Sequence, residues 1–510
     1  MQRYFIYIRF ILQFLVFVLF CLAFAGFASI IPIAQGAFIP AFISGTTLGM
    51  IIFWGIVIIT CITGRAFYCS IFCPLGFLQD VVGLFCKKKP FIPHKSVKYI
   101  KYFIAGFAIA GAFIGNAMYP GWFEPYTIVA KNLSGALRNF LELILYKVGI
   151  RELPEYVGVS LIPAILAGAI LLIILLLCFY KVRFFCNVLC PAGTILGVLA
   201  RKSRIGPIVN DSCVKCGKCM VTCPAGCIDI NKGKIDYELC IGCSNCIATC
   251  KLEAISWSKY EEPISLALPK TLPQQDNNRR DFLATFAAGA VSGVVLATGL
   301  KKHKLKTIPA MPPGAGYFER FTSQCTACGL CIANCTGKTL VPSLFEYGPG
   351  GMGQPMLSVK NGYCNYNCTK CMDVCPAGAL IKLSLEQKRR LQIGKVTFYQ
   401  SRCVVATDKT SCGACAEHCP TGALEMVPYG KDGLTIPKAN PDICLGCGAC
   451  EYICPVKPLP AVEVKGVSPQ VPINLESIKK KTNSNAIPAL QETNSTSSKG
   501  KEEPIEEFPF

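Results

Sequence analysis

Cysteines fall in groups of four along this chain, and the group recurs six times. Cys213, Cys216, Cys219 and Cys223, followed by Pro224, read C-x2-C-x2-C-x3-C-P, and Cys240, Cys243, Cys246 and Cys250 repeat the spacing without the proline. Four quartets follow residue 306: Cys325, Cys328, Cys331, Cys335; Cys364, Cys368, Cys371, Cys375; Cys403, Cys412, Cys415, Cys419; and Cys444, Cys447, Cys450, Cys454. Together they use 24 of the 33 cysteines. Pro-Ala-Gly-Ala-Leu after Cys375 and Pro-Thr-Gly-Ala-Leu after Cys419 echo Pro-Ala-Gly-Cys-Ile after Cys223, so these are degenerate copies of one unit. Three thiolates on a tight loop suit three corners of a 4Fe-4S cubane, and the fourth, carried past a short helix, reaches the neighbouring cluster. The spacing therefore predicts one cluster on Cys213, Cys216, Cys219 and Cys250 and another on Cys240, Cys243, Cys246 and Cys223, in a small α+β bacterial-type dicluster ferredoxin. Longer gaps in two of the later copies, and Thr336 in place of a proline, leave their exchange of fourth ligands open. Cys227 is read as packing. Structural zinc takes separated cysteine or cysteine/histidine pairs, and only three histidines are present. Disulfides, favoured in an oxidising compartment, fit the regular spacing poorly.

Hydropathy points to lipid. Mean hydropathy is +0.44 with 16% charged residues, and runs near 10–31, 47–64, 99–119 and 159–180 match the roughly 17 to 25 helical residues that cross a bilayer. Arg3, Arg9, Arg65, Lys87–Lys89, Lys181, Arg183 and Arg201 place their flanks inside by the positive-inside rule. Leu133, Leu137, Phe140, Leu141, Ile144 and Val148 recur at helical spacing in the outer loop, read as a surface helix. The expected fold class is an α-helical membrane domain of four helices plus a fifth anchoring helix, with ferredoxin domains on both sides. A net charge of +20 falls to about +8 once six clusters carry on the order of −2 each, so no nucleic-acid partner is expected.

Two further motifs stand at the inner ends of the second and fourth runs. Gly64–Gly76 holds Cys69 and Cys73-Pro74, and Arg183–Gly193 holds Cys186 and Cys190-Pro191. Residues i and i+4 share a helix face, so the motifs present sulfur pairs that can meet as a four-thiolate redox centre or act as two dithiol switches. Cys21, Cys61, Cys86 and Cys178 are read as packing. Asn277-Asn278-Arg279-Arg280-Asp281-Phe282-Leu283, then an apolar run to Leu300, has the pattern of a twin-arginine export signal, despite Lys301, Lys302, Lys304 and Lys306 beyond it.

Residues 1 to about 260, with Cys69/Cys73 and Cys186/Cys190, resemble the NapH-type polyferredoxins. Those from about 275 to 465 are similar to the NapG/MauM-type ferredoxins, with Arg279 and Arg280 as the signal and four quartets behind it. The resemblance implies a fused quinol-dehydrogenase-like electron-transfer protein in the bacterial inner membrane. Quinol from the quinone pool, or a cytoplasmic donor, would feed six 4Fe-4S clusters and a periplasmic reductase or other redox partner. The expected division is a membrane domain over 1–200, a cytoplasmic two-cluster domain over 201–260, a linker and anchor over 261–306, a periplasmic four-cluster domain over 307–465, and a disordered tail over 466–510. The membrane half also resembles maturation factors, so an electron-donating maturation or redox-sensing role is the alternative, with an all-cytoplasmic polyferredoxin as a third. No nucleotide-binding loop, nucleophile–base set or catalytic metal triad is present. Glu124, beside Trp122 and Tyr126, is read mainly as a loop anchor and secondarily as a proton acceptor.

Overall fold

The computed structural model describes residues 4–24, 47–86, 95–113, 118–137, 147–148, 156–201, 203–230, 234–259, 277–300, 308–430 and 433–473. Apolar runs become helices α1 (Tyr4–Leu22), α2 (Thr47–Thr63), α3 (Pro74–Phe85), α4 (Lys95–Phe113), α5 (Pro125–Lys131), α6 (Tyr156–Tyr180), α7 (Pro191–Ala200) and α8 (Asn277–Leu300). Proline opens α3, α5 and α7 at the first helical position, where its missing N–H costs nothing. Gly64, at φ +70°, ends α2 as a left-handed cap. Helices α4 and α8 approach backbone to backbone, because Gly106 faces the Phe286 carbonyl and Gly289 faces that of Phe103.

Among the described residues no helix is long and apolar enough to cross a membrane. That overturns the four-helix membrane domain with its fifth anchoring helix. It equally overturns the multi-pass inner-membrane localisation, with one ferredoxin domain cytoplasmic and the other periplasmic. Helix α2 has 17 residues, about 26 Å at 1.5 Å per residue, against about 30 Å of hydrocarbon. Polar residues inside the helices are also partnered by protein. Arg9 pairs with Asp80 at 3.1 Å, and Lys101 in α4 pairs with Glu238 at 2.5 Å.

The quartets sit in small mixed units. Strand β1 (Ile205–Val209) pairs antiparallel with β4 (Ile255–Lys259), and β2 (Ile228–Asp229) with β3 (Lys234–Ile235). Further along, β5 (Leu340–Pro342) pairs with β6 (Pro355–Leu357), β7 (Leu391–Phe398) with β10 (Val462–Pro472), and β8 (Leu424–Tyr429) with β9 (Leu434–Ala439). Strand β10 carries the fold past residue 466, where a disordered tail was expected to begin; 474–510 lie outside the described residues, as does 138–146 of the expected surface helix. One continuous buried core contains Phe20, Cys69, Cys186, Tyr126, Cys223, Cys243, Cys325 and Cys331, and so joins the helices to both sets of quartets.

Candidate iron-sulfur sites and a four-cysteine centre

Left-handed backbone turns wrap the loops of the four quartets with strict x2-x2 spacing. The second residue after the first cysteine and the residue after the second cysteine have positive φ: Lys215 and Gly217, Gly242 and Ser244, Ala327 and Gly329, Gly446 and Gly448. Non-glycine residues rarely occupy that region, so Lys215, Ser244 and Ala327 are held there by the loop. The chain is thereby curled into a tight loop bearing the first cysteines of the quartet, and a short helix, such as Lys218–Thr222 or Asn245–Thr249, ends at the fourth.

The fourth cysteine joins the neighbouring trio. Burial raises the Cys246 thiol, and charge on Cys243, Cys240 and Cys223 adds to it. Burial raises Cys219, with Cys213 and Cys216 contributing; Cys250 caps the helix that packs against the one bearing Cys219. In the C-terminal unit burial raises Cys331, next to Cys328, Cys325 and Cys375. Cys371 is raised by burial beside Cys364, Cys335 and Cys368. Burial pushes Cys415 up to about 11, with Cys412, Cys403 and Cys454 around it, and raises Cys450 beside Cys447, Cys444 and Cys419. In five of the six groups the trio thus feels the fourth cysteine of the neighbouring quartet, and Cys250 is brought toward the Cys213 trio by helix packing. Thr336, standing where proline was expected, donates its hydroxyl to Cys368 Sγ at 3.2 Å.

This donor set fits 4Fe-4S clusters. The groups are all soft thiolates, backbone N–H groups of Ala423 and Gly446 point at Cys419 and Cys444 sulfurs at 3.2 and 3.3 Å, and Cys216 is the one exposed quartet cysteine. Among the described residues no three histidine, cysteine or carboxylate groups lie close enough to share a single metal ion. Cys227, read as packing, lies 3.5 Å from Cys223 Sγ and also bonds Cys240. Its hydrogen bond is the main cause that lowers the Cys223 thiol to about 6. Its i+4 spacing from Cys223 was the available signal.

The two Cys-x3-Cys-Pro motifs meet. Cys69, Cys73, Cys186 and Cys190 are all buried, and burial raises Cys73 and Cys190, with charge on Cys186 adding to each. The motifs brace one another reciprocally: Arg65 Nη2 donates to the Cys186 carbonyl at 3.1 Å and Arg183 Nη1 to that of Cys69 at 3.3 Å. Cys73 and Cys190 cap α3 and α7, and the N–H groups of Gly76 and Gly193 donate to their sulfurs at 3.4 and 3.2 Å. A Cβ on Gly76 would lie 2.6 Å from Arg183, and one on Gly193 would lie 3.0 Å from Arg65. Asp80 takes both Arg183, at 2.6 Å, and Arg9. Arg65 instead uses Asn187 Oδ1 and the Glu238 carbonyl.

Both quartet sets adjoin this centre. Asn187 Nδ2 donates to the Ala225 carbonyl and Lys181 Nζ to that of Cys223. On the other side α3 packs on α5, and Ser134 Oγ contacts the Cys328 carbonyl at 3.4 Å. Glu124 caps α5, accepting from Thr127 N at 2.6 Å, and burial pushes it up to about 7. Lys131, lowered to about 8 by burial, lies over the Trp122 ring at 3.7 Å and feels charge on Cys325 and Cys328. Arg279 and Arg280 lie in the first turn of α8, with Arg280 exposed.

A model of the 4Fe-4S dicluster domain matches residues 410–457, and models of 4Fe-4S binding domains match 46–93 with 161–207 and 210–226 with 237–254. The ferredoxin-type protein NapF of Escherichia coli is 30% identical over 150 residues, 29% of this chain and 82% of that protein. The methylamine utilization ferredoxin-type protein MauM of Methylobacillus flagellatus is 30% identical over 172 residues, 32% of this chain and 73% of that protein. The chain belongs to the NapF/MauM-type ferredoxins. The ferredoxin-type protein NapG of E. coli is 29% identical over 204 residues, covering 38% of this chain and 87% of that protein. No solved structure matches. This is a multi-cluster 4Fe-4S ferredoxin-type electron-transfer protein.

Proposed function

We propose that the chain is a conduit of six 4Fe-4S sites, each made of three cysteines from one quartet and the fourth from its neighbour. The observation that carries this is the three-plus-one grouping in five of the six. Bound at these sites, the clusters supply one-electron acceptance and release. The chain's own residues set the order. Cys364 N donates to the Cys447 carbonyl at 2.9 Å, which joins the second C-terminal site to the fourth. Cys331 feels Cys371, and Cys450 feels Cys415, which join the remaining neighbours. The C-terminal sites therefore run from Cys325/Cys328/Cys331 through Cys364/Cys368/Cys371 and Cys444/Cys447/Cys450 to Cys403/Cys412/Cys415.

Exposure of Cys216 marks one port for a redox partner. A quinol is the second donor, favoured by a cavity of about 400 Å³ lined by Tyr7, Phe10, Asp80, Tyr180, Lys181 and Cys223. Apolar walls with a few polar groups suit such a ring. Anaerobically purified protein should hold four irons for each of the six sites, so at least about 24 per chain. Decylubiquinol should reduce it, and Val221→Trp at the cavity wall should slow that reduction while leaving reduction by dithionite unchanged. An iron content of two sites or fewer would remove the conduit, and equal quinol rates in Val221→Trp would remove the cavity as its entry.

A further inference from the structure

The four-cysteine centre has no place in the six-site arrangement, yet its two motifs brace one another through Arg65 and Arg183. We propose that Cys69, Cys73, Cys186 and Cys190 hold a seventh 4Fe-4S cluster, between the N-terminal pair of sites and the C-terminal four. The first argument is charge. Arg65 and Arg183 are 2% and 0% exposed, Arg9 is buried beside them, and among the described residues Asp80 is the one carboxylate that meets any of the three. Glu238 is engaged by Lys101 and Arg201 and gives Arg65 only its backbone carbonyl. Three guanidinium groups against one carboxylate leave about +2 in a setting where an uncompensated charge costs several kcal/mol. Four thiolates around an oxidised 4Fe-4S core carry about −2. Four thiols, or two disulfides, carry none.

Orphaned polar atoms point the same way. Gln79 is wholly buried, its Nε2 has no partner, and its amide oxygen lies 3.0 Å from Cys186 Sγ. With its amide ends exchanged, the N–H meets a thiolate. Arg65 Nε is likewise unpartnered, while the same side chain bonds Cys69. The Gly76 and Gly193 N–H groups already serve Cys73 and Cys190 at the positive ends of 12- and 10-residue helices. A single zinc would also balance the charge, but no three of the sulfurs lie close enough to share one ion. Position supplies the last argument: the centre shares one buried core with both Cys223 and Cys325. Only its service as a relay rests on the conduit reading.

The test compares iron and acid-labile sulfide per chain, and spin-counted electron paramagnetic resonance, in the full-length holoprotein and in Cys69→Ser/Cys186→Ser. The expected result is a loss of about four irons and four sulfides, with the other reduced-cluster signals retained. Unchanged iron overturns the proposal, as does one equivalent of zinc, or Cys69–Cys73 and Cys186–Cys190 disulfides in the mass spectrum of the wild type. If the double variant loses more than one cluster's iron, Arg65→Gln decides. It keeps every thiol, so iron should stay constant while one midpoint potential falls, because a positive charge has left a reducible anion. No shift in any potential would overturn the site. Cys325→Ser serves as the separate control: full iron in that variant would sink the six-site conduit without touching the seventh.

Discussion

Glu124 places one carboxylate oxygen on Thr127 and leaves the other without a partner, fully buried. Burial raises its pKa to about 7, so the folded chain holds a proton that the unfolded chain has already released above about pH 4.5. Stability from this residue is complete below that pH and is lost as pH rises toward 7, by up to about 3 kcal/mol. Glu124→Gln keeps the cap acceptor and should flatten the change. Urea unfolding followed by circular dichroism at pH 5 and pH 7.5, without oxygen, measures it, and an equal pH slope in the variant would count against the assignment. Gly193 is a second sensitive position, since an added Cβ would lie 2.3 Å from the Cys186 carbonyl. Gly193→Ala should destabilise by about 1–3 kcal/mol, seen as a lower urea midpoint.

Quartet spacing made the short loop-and-helix units legible, because x2-x2 loops leave little freedom in how three sulfurs converge. The exchange among C-terminal quartets was not legible. Cys403 and Cys454 are brought together by the pairing of β7 with β10, which the x8 gap does not encode. The polar frame around the four-cysteine centre was equally hidden, since Arg183 and Asp80 are 103 residues apart and Arg65 and the Cys186 carbonyl 121. Duplication of an arginine beside each Cys-x3-Cys pair was the one trace of it. Hydropathy misled for a related reason. It averages over apolar neighbours whatever they face, and so gives little weight to Arg9 and Lys101, each of which has a protein carboxylate. At this scale the contact of α4 with α8 is testable: Gly289→Ala would put Cβ 2.1 Å from the Phe103 carbonyl, forcing the helices apart at a cost of about 1–3 kcal/mol, read as a lower melting temperature.

Across the whole molecule, the N-terminal sites and the first two C-terminal ones share one buried core while the last two lie in separate ones, and solvent is reached at Cys216, where Lys215, Lys218 and Lys251 are exposed with Val214 and Leu252. A basic rim attracts anionic oxidants and repels cationic ones. Lys215→Glu/Lys251→Glu should therefore slow oxidation by ferricyanide several-fold at low salt and speed oxidation by hexaammineruthenium. Equal rates before and after would move the port elsewhere. The crossing of each fourth cysteine to its neighbour also bears on how the chain is made. A ribosome that has passed Cys335 has delivered a complete quartet and not one complete site; one site of that pair closes when Cys371 emerges and the other only at Cys375. Iron delivery must then wait at three checkpoints, set by Cys250, Cys375 and Cys454. A chain cut between checkpoints exposes half-built thiol clusters to oxygen, while one cut just past a checkpoint is a finished module.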